Sequence, residues 1–210
     1  MNNPTNRTGG KVAPKLAKAR VSSWLESVKK TTGIDPRTHE HGAVVLLLDC
    51  SDSMAADNRM GSAKDGALRF NREMIATGYE VGLIVFASNA ELVCAPTRVG
   101  IENYLENVRC AGSTNLAAAL RLALTTISKV PRSRKVIVVA TDGYPDDADA
   151  ALSAAAAAKA EGVEILVVGT EDADSVFLGK LASSKGGSIV VAPSRIGSGI
   201  AEISKLLPRS

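Results

Sequence analysis

The chain has 210 residues, of which 45% are hydrophobic and 22% are charged, and it contains only three cysteines. This composition excludes a disordered chain and a disulfide scaffold, and it fits one α/β domain with a short appendage. The net charge of +3 is unevenly spread, since residues 1–41 carry eight Lys and Arg against three Asp and Glu. The rest of the chain is slightly acidic, which argues against a nucleic-acid-binding domain.

The sequence predicts a cytoplasmic protein with no membrane partner. No apolar run approaches the roughly 20 residues that cross a bilayer, and the first residues lack the apolar segment of a secretory signal peptide. The cysteines have neither CxxC nor Cys/His spacing, which argues against structural zinc and indicates buried thiols.

Residues 1–12 are predicted to be disordered, and residues 13–41 to form an amphipathic helix followed by a linker. The only tryptophan, Trp24, lies on the apolar side of this helix together with Val21 and Val28. We favour packing of that side on the following domain, with docking on a partner as the alternative.

Six short apolar runs fill the region from residue 43 onward, and helical patterns separate most of them. Several runs are apolar on both faces, as expected for a sheet covered by helices on both sides. A two-residue link after the second run permits only a hairpin, so one strand is predicted to be antiparallel. The runs are residues 43–49, 80–87, 90–95, 135–142, 163–169 and 188–192.

The helical patterns place apolar residues at steps of three and four, and Gly78 is predicted to end the first helix. The predicted helices are residues 57–77, 115–129 and 146–162, with weaker ones at 99–107, 174–184 and 195–207. The predicted fold class is therefore α/β. It is a doubly wound, mostly parallel, Rossmann-like sheet with one antiparallel edge strand and about six flanking helices.

Polar side chains follow the strands at the edge where ligands bind in open α/β sheets. Asp49, Ser51 and Ser53 follow the first strand, Asp142 and the preceding Thr141 follow the apolar strand at 135–140, and Thr114 opens a helix. These loops converge if the two strands are neighbours. Two carboxylates and three hydroxyls are hard oxygen donors, which suit Mg²⁺ or Mn²⁺ and fit zinc poorly.

The spacing of the first loop suggests how its side chains are oriented. Alternate residues of an extended chain project to one side, so Asp49, Ser51 and Ser53 are predicted to face one ion while Cys50 and Asp52 point away. We expect Asp49 and Ser51 to lie on a solvent-facing rim, not in the core.

The DCSDS at residues 49–53, Thr114 and the TDG at residues 141–143 resemble the three-part metal-ion-dependent adhesion site of the von Willebrand factor type A domain. The resemblance covers about residues 42–208. It implies that Ser51, Ser53 and Thr114 are hydroxyl ligands, and that Asp49 and Asp142 are the carboxylates near the ion.

The resemblance also implies a kind of partner. In that family an acidic side chain of a protein partner commonly fills the open position of the ion. Bacterial-type cytoplasmic relatives often work beside ring-forming ATPases or in multi-protein assemblies. We expect the rim of such a contact near Met54, Asn115 and Tyr144.

The leading hypothesis is a non-enzymatic, Mg²⁺-dependent protein-interaction module that binds Asp or Glu of a partner. One alternative is a haloacid-dehalogenase-like phosphohydrolase, but Ser51 stands where such an enzyme needs a second Asp. Another is a structural subunit whose ion only rigidifies the loops. Nucleotide binding lacks support because no GxGxxG follows a strand and no GxxxxGK[ST] occurs.

Other polar residues have simpler interpretations. His39 and His41 lack a third ligand nearby and are interpreted as solvated. The acidic residues near the same strand ends are predicted to cap helices and, secondarily, to attract cations. They are Asp146, Asp147, Glu171, Asp172 and Asp174.

Overall fold

The computed structural model describes residues 42–208, so the predictions for residues 1–12, for residues 13–41 and for the two histidines lie outside the described part. Its strands are β1 (Ala43–Asp49), β2 (Glu80–Phe86), β3 (Ala90–Thr97), β4 (Lys135–Thr141), β5 (Glu164–Thr170) and β6 (Ser188–Val191). Its α-helices are α1 (Arg59–Ala76), α2 (Glu102–Leu105), α3 (Leu116–Ser128), α4 (Ala148–Ala160), α5 (Ser175–Leu181) and α6 (Ile196–Ile203).

The six strands form one sheet in the order β3-β2-β1-β4-β5-β6. Every neighbouring pair is parallel except β2 and β3, so the predicted fold class with one antiparallel edge strand is confirmed. The chain leaves β1 toward β2 on one side and returns to β4 on the other. The order therefore reverses at β1 and β4, which is where open α/β sheets bind ligands.

Helices cover both faces of the sheet, which explains why β1 is buried along its whole length. Leu46 faces an apolar cluster that includes Phe70 of α1 and Ile200 of α6. The next residue, Leu47, faces the opposite cluster, which includes Leu120 of α3. This alternation explains the continuous apolar runs of the sequence. No helix in residues 42–208 is long and apolar enough to cross a membrane.

Helices α1 and α6 approach each other through glycines. A Cβ atom on Gly66 would lie 2.2 Å from the carbonyl oxygen of Gly197, and one on Gly197 would lie 1.9 Å from the carbonyl oxygen of Ser62. No side chain fits at either position without a shift of the backbone. This contact between Gly66 and Gly197 is called the glycine crossing below.

The first predicted helix differs from the structure at its start. Residues Asp52–Asn58 form a 3₁₀ turn, interrupted by extended Ala56 and by positive φ angles of 48° at Asp57 and 55° at Asn58. Helix α1 begins only at Arg59, directly after these two left-handed residues, which cannot continue a right-handed helix. Gly78 has a φ of +91° just beyond the helix, as predicted. The weak helix predicted at 99–107 is only the short α2.

Candidate metal site

The five polar residues that the sequence singles out lie together at the carboxyl edge of the sheet. Asp49 ends β1, and Asp142 directly follows the neighbouring strand β4. The side chains come from three loops, which the order of the strands brings to one place. We call this set the oxygen cluster: Asp49, Ser51, Ser53, Thr114 and Asp142.

Most of the oxygen cluster is buried. Asp49 is 0% exposed and Ser51 is 2% exposed, so the prediction that they lie on a solvent-facing rim is wrong. Asp142 and Thr114 are buried as well, and only Ser53 is exposed. The reason is the central position of β1 and β4 in the sheet, since the loops that follow them fold over their last residues.

Asp49 is held by two hydrogen bonds. The backbone N–H of Ser51 donates to its Oδ1 at 2.9 Å, and the hydroxyl of Thr141 donates to its Oδ2 at 2.5 Å. Burial raises the pKa of the Asp49 carboxyl to about 6, and the hydrogen bonds from Thr141 and Ser51 oppose that rise. The nearby charge of Asp142 raises the pKa further. The ionised form is therefore costly here unless a positive charge approaches.

The serine hydroxyls connect the first loop to Asp142. The Oγ atoms of Ser51 and Ser53 are 3.1 Å apart, and Ser53 Oγ donates to Asp142 Oδ1 at 2.7 Å. We predicted that Ser53 faces the site because alternate residues of an extended chain project to one side. This reason is wrong at Ser53, which lies in the 3₁₀ turn. The turn brings its hydroxyl back toward Ser51.

The residues predicted to point away do so. Cys50 is buried, and its Sγ donates to the carbonyl of Phe86 at 3.2 Å. Asp52 is exposed, and its Oδ1 accepts from the backbone N–H of Gly112 at 3.0 Å. Asp52 N–H also donates to the carbonyl of Gly112 at 2.9 Å. These two bonds tie the first loop to the loop that carries Thr114.

Thr114 is fixed by an acid that the sequence analysis assigned elsewhere. Asp146 accepts from the backbone N–H of Thr114 at 2.9 Å and from the hydroxyl of Ser113 at 2.7 Å. The prediction that Asp146 caps a helix is therefore wrong. Asp147 is the residue that caps α4, and Asp174 caps α5, as predicted. Because Asp147 alone caps the helix, the adjacent Asp146 is available to hold the loop that carries Thr114.

Arg59 is a member of the site that the sequence analysis missed. Its Nη1 donates to Asp142 Oδ2 at 2.7 Å, and its Nη2 lies 3.1 Å from Asp172 Oδ2. The hydrogen bond to Asp142 raises the pKa of the Arg59 guanidinium above its ordinary value. One feature of the sequence points to this role. Arg59 is a cation at the start of α1, where the helix dipole disfavours positive charge, and the first turn has no acid to offset it.

The residues of the oxygen cluster fit a hard divalent cation. A Cβ atom on Gly143 would lie 3.7 Å from Ser53 Oγ and 4.0 Å from Thr114 Oγ1, so both hydroxyls approach the same point beside Asp142. Within residues 42–208, no three His, Cys, Asp or Glu side chains are grouped to hold a metal. A metal here would depend on the hydroxyls as well as on the two carboxylates, a donor set that suits Mg²⁺ or Mn²⁺.

The surface around the oxygen cluster differs in part from the predicted rim. Tyr144 is 64% exposed beside Gly143, as a contact residue must be. Met54 is fully buried, so the prediction that it contributes to the rim is wrong. The Asn115 side chain is engaged with the backbone, since it caps α3 and donates to the carbonyl of Ser88.

Two curated proteins are similar in sequence to part of this chain. A protein of Mycolicibacterium paratuberculosis called UPF0353 protein is 31% identical in an alignment 147 residues long that covers 60% of this chain and 43% of that protein. The chain thus spans less than half the length of that relative. Calcium-activated chloride channel regulator 1 of Bos taurus is 29% identical over 112 residues and matches over only 12% of its length.

Solved structures show the same fold at low identity. The vWF domain of the type V pili tip protein Mfa5 from Porphyromonas gingivalis aligns with a TM-score of 0.69 and 13% identity, over 79% of this chain and 94% of that one. Proximal thread matrix protein 1 from the mussel byssus, described with a zinc-occupied MIDAS motif, aligns with a TM-score of 0.65 and 18% identity, over 80% and 47%. Residues 43–204 match the family model of the von Willebrand factor type A domain, and the chain therefore belongs to that family.

Proposed function

We propose that this protein is a Mg²⁺- or Mn²⁺-dependent protein-interaction module that binds an Asp or Glu side chain of a partner. Domains of this family typically mediate protein–protein interaction or adhesion. The observation that carries the proposal is the approach of the Ser53 and Thr114 hydroxyls to one point beside buried Asp142. The oxygen cluster would hold the ion, and the ion would present positive charge to the partner's carboxylate.

The charges of the site favour an anionic ligand. Three of the five donors are neutral hydroxyls, and the positive charge of Arg59 already offsets part of the charge of Asp142. A divalent ion in this setting is not fully neutralised by the protein. A carboxylate from a partner would supply the missing negative charge. Exposed Tyr144 offers an aromatic contact next to it.

A binding role fits the site better than catalysis does. Asp49 has both oxygens engaged by Ser51 and Thr141, and Ser51 occupies the position where a phosphohydrolase of this design needs its second acid. Cys50 is buried and its pKa is raised to about 11 by burial, so it is a poor nucleophile. We therefore propose a non-enzymatic module.

The setting of this module is part of the proposal. All three cysteines are free, which agrees with a reducing compartment such as the cytoplasm. A ring-forming ATPase or another multi-protein assembly that presents an acidic residue is the partner class we propose. A structural subunit whose ion only rigidifies the loops remains the competing function, and it requires no carboxylate from another chain.

Calorimetric titration of the purified full chain with MgCl₂, MnCl₂ and ZnCl₂ tests the metal part of the proposal. We expect saturable binding of Mg²⁺ or Mn²⁺ and a large loss of affinity in Thr114→Ala. The matched control is Thr125→Ala, since Thr125 is exposed on α3 and bonds only within that helix. Affinity for Zn²⁺ alone, or equal affinity in both variants, contradicts the proposal.

Capture of partners with immobilised protein tests the interaction. Partners should bind in MgCl₂, dissociate in EDTA and return when Mg²⁺ is restored, and Thr114→Ala should reduce their retention. Neutralising one acidic residue of the partner should then abolish the Mg²⁺-dependent contact. If every acid of an identified partner can be neutralised without loss, the ion is structural and the competing function is correct.

A further inference from the structure

Arg59 lies between two carboxylates at the oxygen cluster. Its side chain is only 14% exposed, with Nη1 on Asp142 Oδ2 at 2.7 Å and Nη2 on Asp172 Oδ2 at 3.1 Å. Asp57 lies at the outer limit of an ion pair, at 3.9 Å. Arg59 Nε is buried and has no hydrogen-bond partner within residues 42–208. Ion pairs with Asp142 and Asp172 therefore hold the guanidinium in place, while its Nε–H makes no hydrogen bond within the described residues.

The backbone that delivers Arg59 is itself strained. Asp57 and Asn58 have φ angles of 48° and 55°, a left-handed conformation that side chains other than Gly adopt at a cost. Asn58 is accommodated because the next turn carries Gly61, where a Cβ atom would lie 2.2 Å from Asn58 Oδ1. Such strain persists where surrounding contacts determine the conformation. Arg59, which directly follows these two residues, contacts Asp142.

Both oxygens of Asp142 are already engaged. Ser53 donates to Oδ1 at 2.7 Å, and Arg59 donates to Oδ2. Asp49 differs, since its two donors, Ser51 N–H and the Thr141 hydroxyl, are both neutral. A cation that approaches the oxygen cluster therefore meets one carboxylate without a counter-charge and one that already has its own.

We propose that Arg59 is an internal counter-cation that competes with a divalent ion for Asp142 and so weakens the affinity of the site for that ion. The inference rests on the proposed function, because it concerns the same oxygen cluster. The positive charge of Arg59 repels a divalent ion nearby, and its hydrogen bond occupies Asp142 Oδ2, an oxygen that the ion would otherwise be free to use. Arg59 thereby sets the Mg²⁺ concentration at which the site fills.

The first experiment compares Arg59→Gln with wild-type protein by calorimetric titration with MgCl₂ and with MnCl₂. Gln keeps a hydrogen-bond donor and removes the charge. We expect Arg59→Gln to bind Mg²⁺ about tenfold more tightly. Arg69→Gln is the matched control, because Arg69 lies exposed on the same helix and its Nε donates to the backbone carbonyl of Asp65, not to the oxygen cluster. Its affinity should stay within about twofold of wild type.

The second experiment uses the wild-type chain, so it does not depend on the folding of Arg59→Gln. The Nε–H resonance of Arg59 is identified by its absence from the spectrum of ¹⁵N-labelled Arg59→Lys. Addition of MgCl₂ should shift this resonance along the same saturation curve that calorimetry gives. A resonance that is unmoved at saturating Mg²⁺ overturns the inference.

The titrations separate the two proposals. If wild type binds Mg²⁺ and Arg59→Gln binds it equally or less tightly, Arg59 only supports the loop, and the inference is wrong while the proposed function stands. If neither protein binds Mg²⁺ or Mn²⁺, the proposed function fails and the inference fails with it. Tighter binding by Arg59→Gln together with a shifted Nε–H resonance supports the inference.

Discussion

The glycine crossing and the oxygen cluster are both buried, but they are built from different interactions. At the crossing, Gly66 and Gly197 bring two helix backbones into contact, and apolar side chains such as Phe70 and Ile200 fill the space around them. At the oxygen cluster, two carboxylates are buried close together beside a strained turn. The glycine crossing consists of close apolar and backbone contacts, which stabilise the fold. The oxygen cluster contains buried carboxylates and a strained turn, which cost free energy of folding.

This difference separates stability from function. Close contact of apolar surface and backbone stabilises the fold, so changes at the crossing should lower the free energy of unfolding without any effect on metal affinity. Buried like charges and left-handed residues cost free energy, and they persist where a ligand or partner uses them. Changes at the oxygen cluster should therefore alter binding, and some of them should raise stability.

The largest expected effect is at the crossing. In Gly197→Val the new side chain would overlap the carbonyl of Ser62, and α6 would have to move away from α1. We expect a loss of about 3 kcal/mol or more in the free energy of unfolding, measured by urea titration. The control is Gly179→Val, since Gly179 is exposed on α5 and has no atom within 4 Å of its Cβ position. A small effect at Gly197 contradicts the assigned contact.

The second prediction is that a substitution in the oxygen cluster raises the free energy of unfolding instead of lowering it. Asp49→Asn removes a buried charge and keeps an oxygen for the Ser51 N–H. Burial raises the pKa of Asp49 from 3.8 to about 6, so ionisation begins to destabilise the fold above pH 4, and its cost is complete only above pH 6. At pH 7.5 in EDTA, we expect the variant to be more stable by about 2 kcal/mol.

Two further measurements complete this test. The stability difference between Asp49→Asn and wild type should shrink as the pH falls from 6 to 4, because wild-type Asp49 then becomes protonated as well. Asp65→Asn on the exposed side of α1 should show no such difference. Under the proposed function, the affinity of Asp49→Asn for Mg²⁺ should be greatly reduced. A variant less stable than wild type at pH 7.5 would show that the charge of Asp49 is compensated.

The contrast between the two regions also explains what the sequence could predict. The strands were predictable because continuous Val, Leu and Ile runs fit a sheet covered on both faces, and the hairpin was predictable from its two-residue link. Four residues of the oxygen cluster were predictable because they lie at or just beyond the ends of β1 and β4, and Thr114 was predictable because it opens a helix. In each case the signal lies within a short stretch of the sequence.

The contacts that were missed join distant parts of the chain. Arg59 and Asp142 are 83 positions apart, and Asp146 and Thr114 are 32 apart. The polarity of a residue does not reveal which distant loop its side chain will reach, since that depends on how the helices pack. The left-handed turn at Asp57 and Asn58 was missed because neither residue is glycine, the residue that usually marks this conformation.

The next prediction compares two neighbouring acids, Asp146 and Asp147, and its expected effects are smaller. Asp146 holds the Thr114 loop through Thr114 N–H and the Ser113 hydroxyl, whereas Asp147 caps α4. Asp146→Ala and Asp147→Ala should each lower the free energy of unfolding by about 1 kcal/mol. Only Asp146→Ala should also weaken Mg²⁺ binding, by about threefold to tenfold, which calorimetry measures. Equal affinities in the two variants would show that Thr114 does not depend on Asp146.

The smallest change in structure is expected from Gly143→Ala. The new methyl group would lie 3.7 Å from Ser53 Oγ and 4.0 Å from Thr114 Oγ1, which are ordinary contact distances, so urea titration should detect little change in stability. The methyl group would nevertheless stand at the point that both hydroxyls approach. A divalent ion needs that space for its ligands, so the affinity for Mg²⁺ should fall several-fold. Unchanged Mg²⁺ affinity in Gly143→Ala would mean that the hydroxyls of Ser53 and Thr114 do not share an ion.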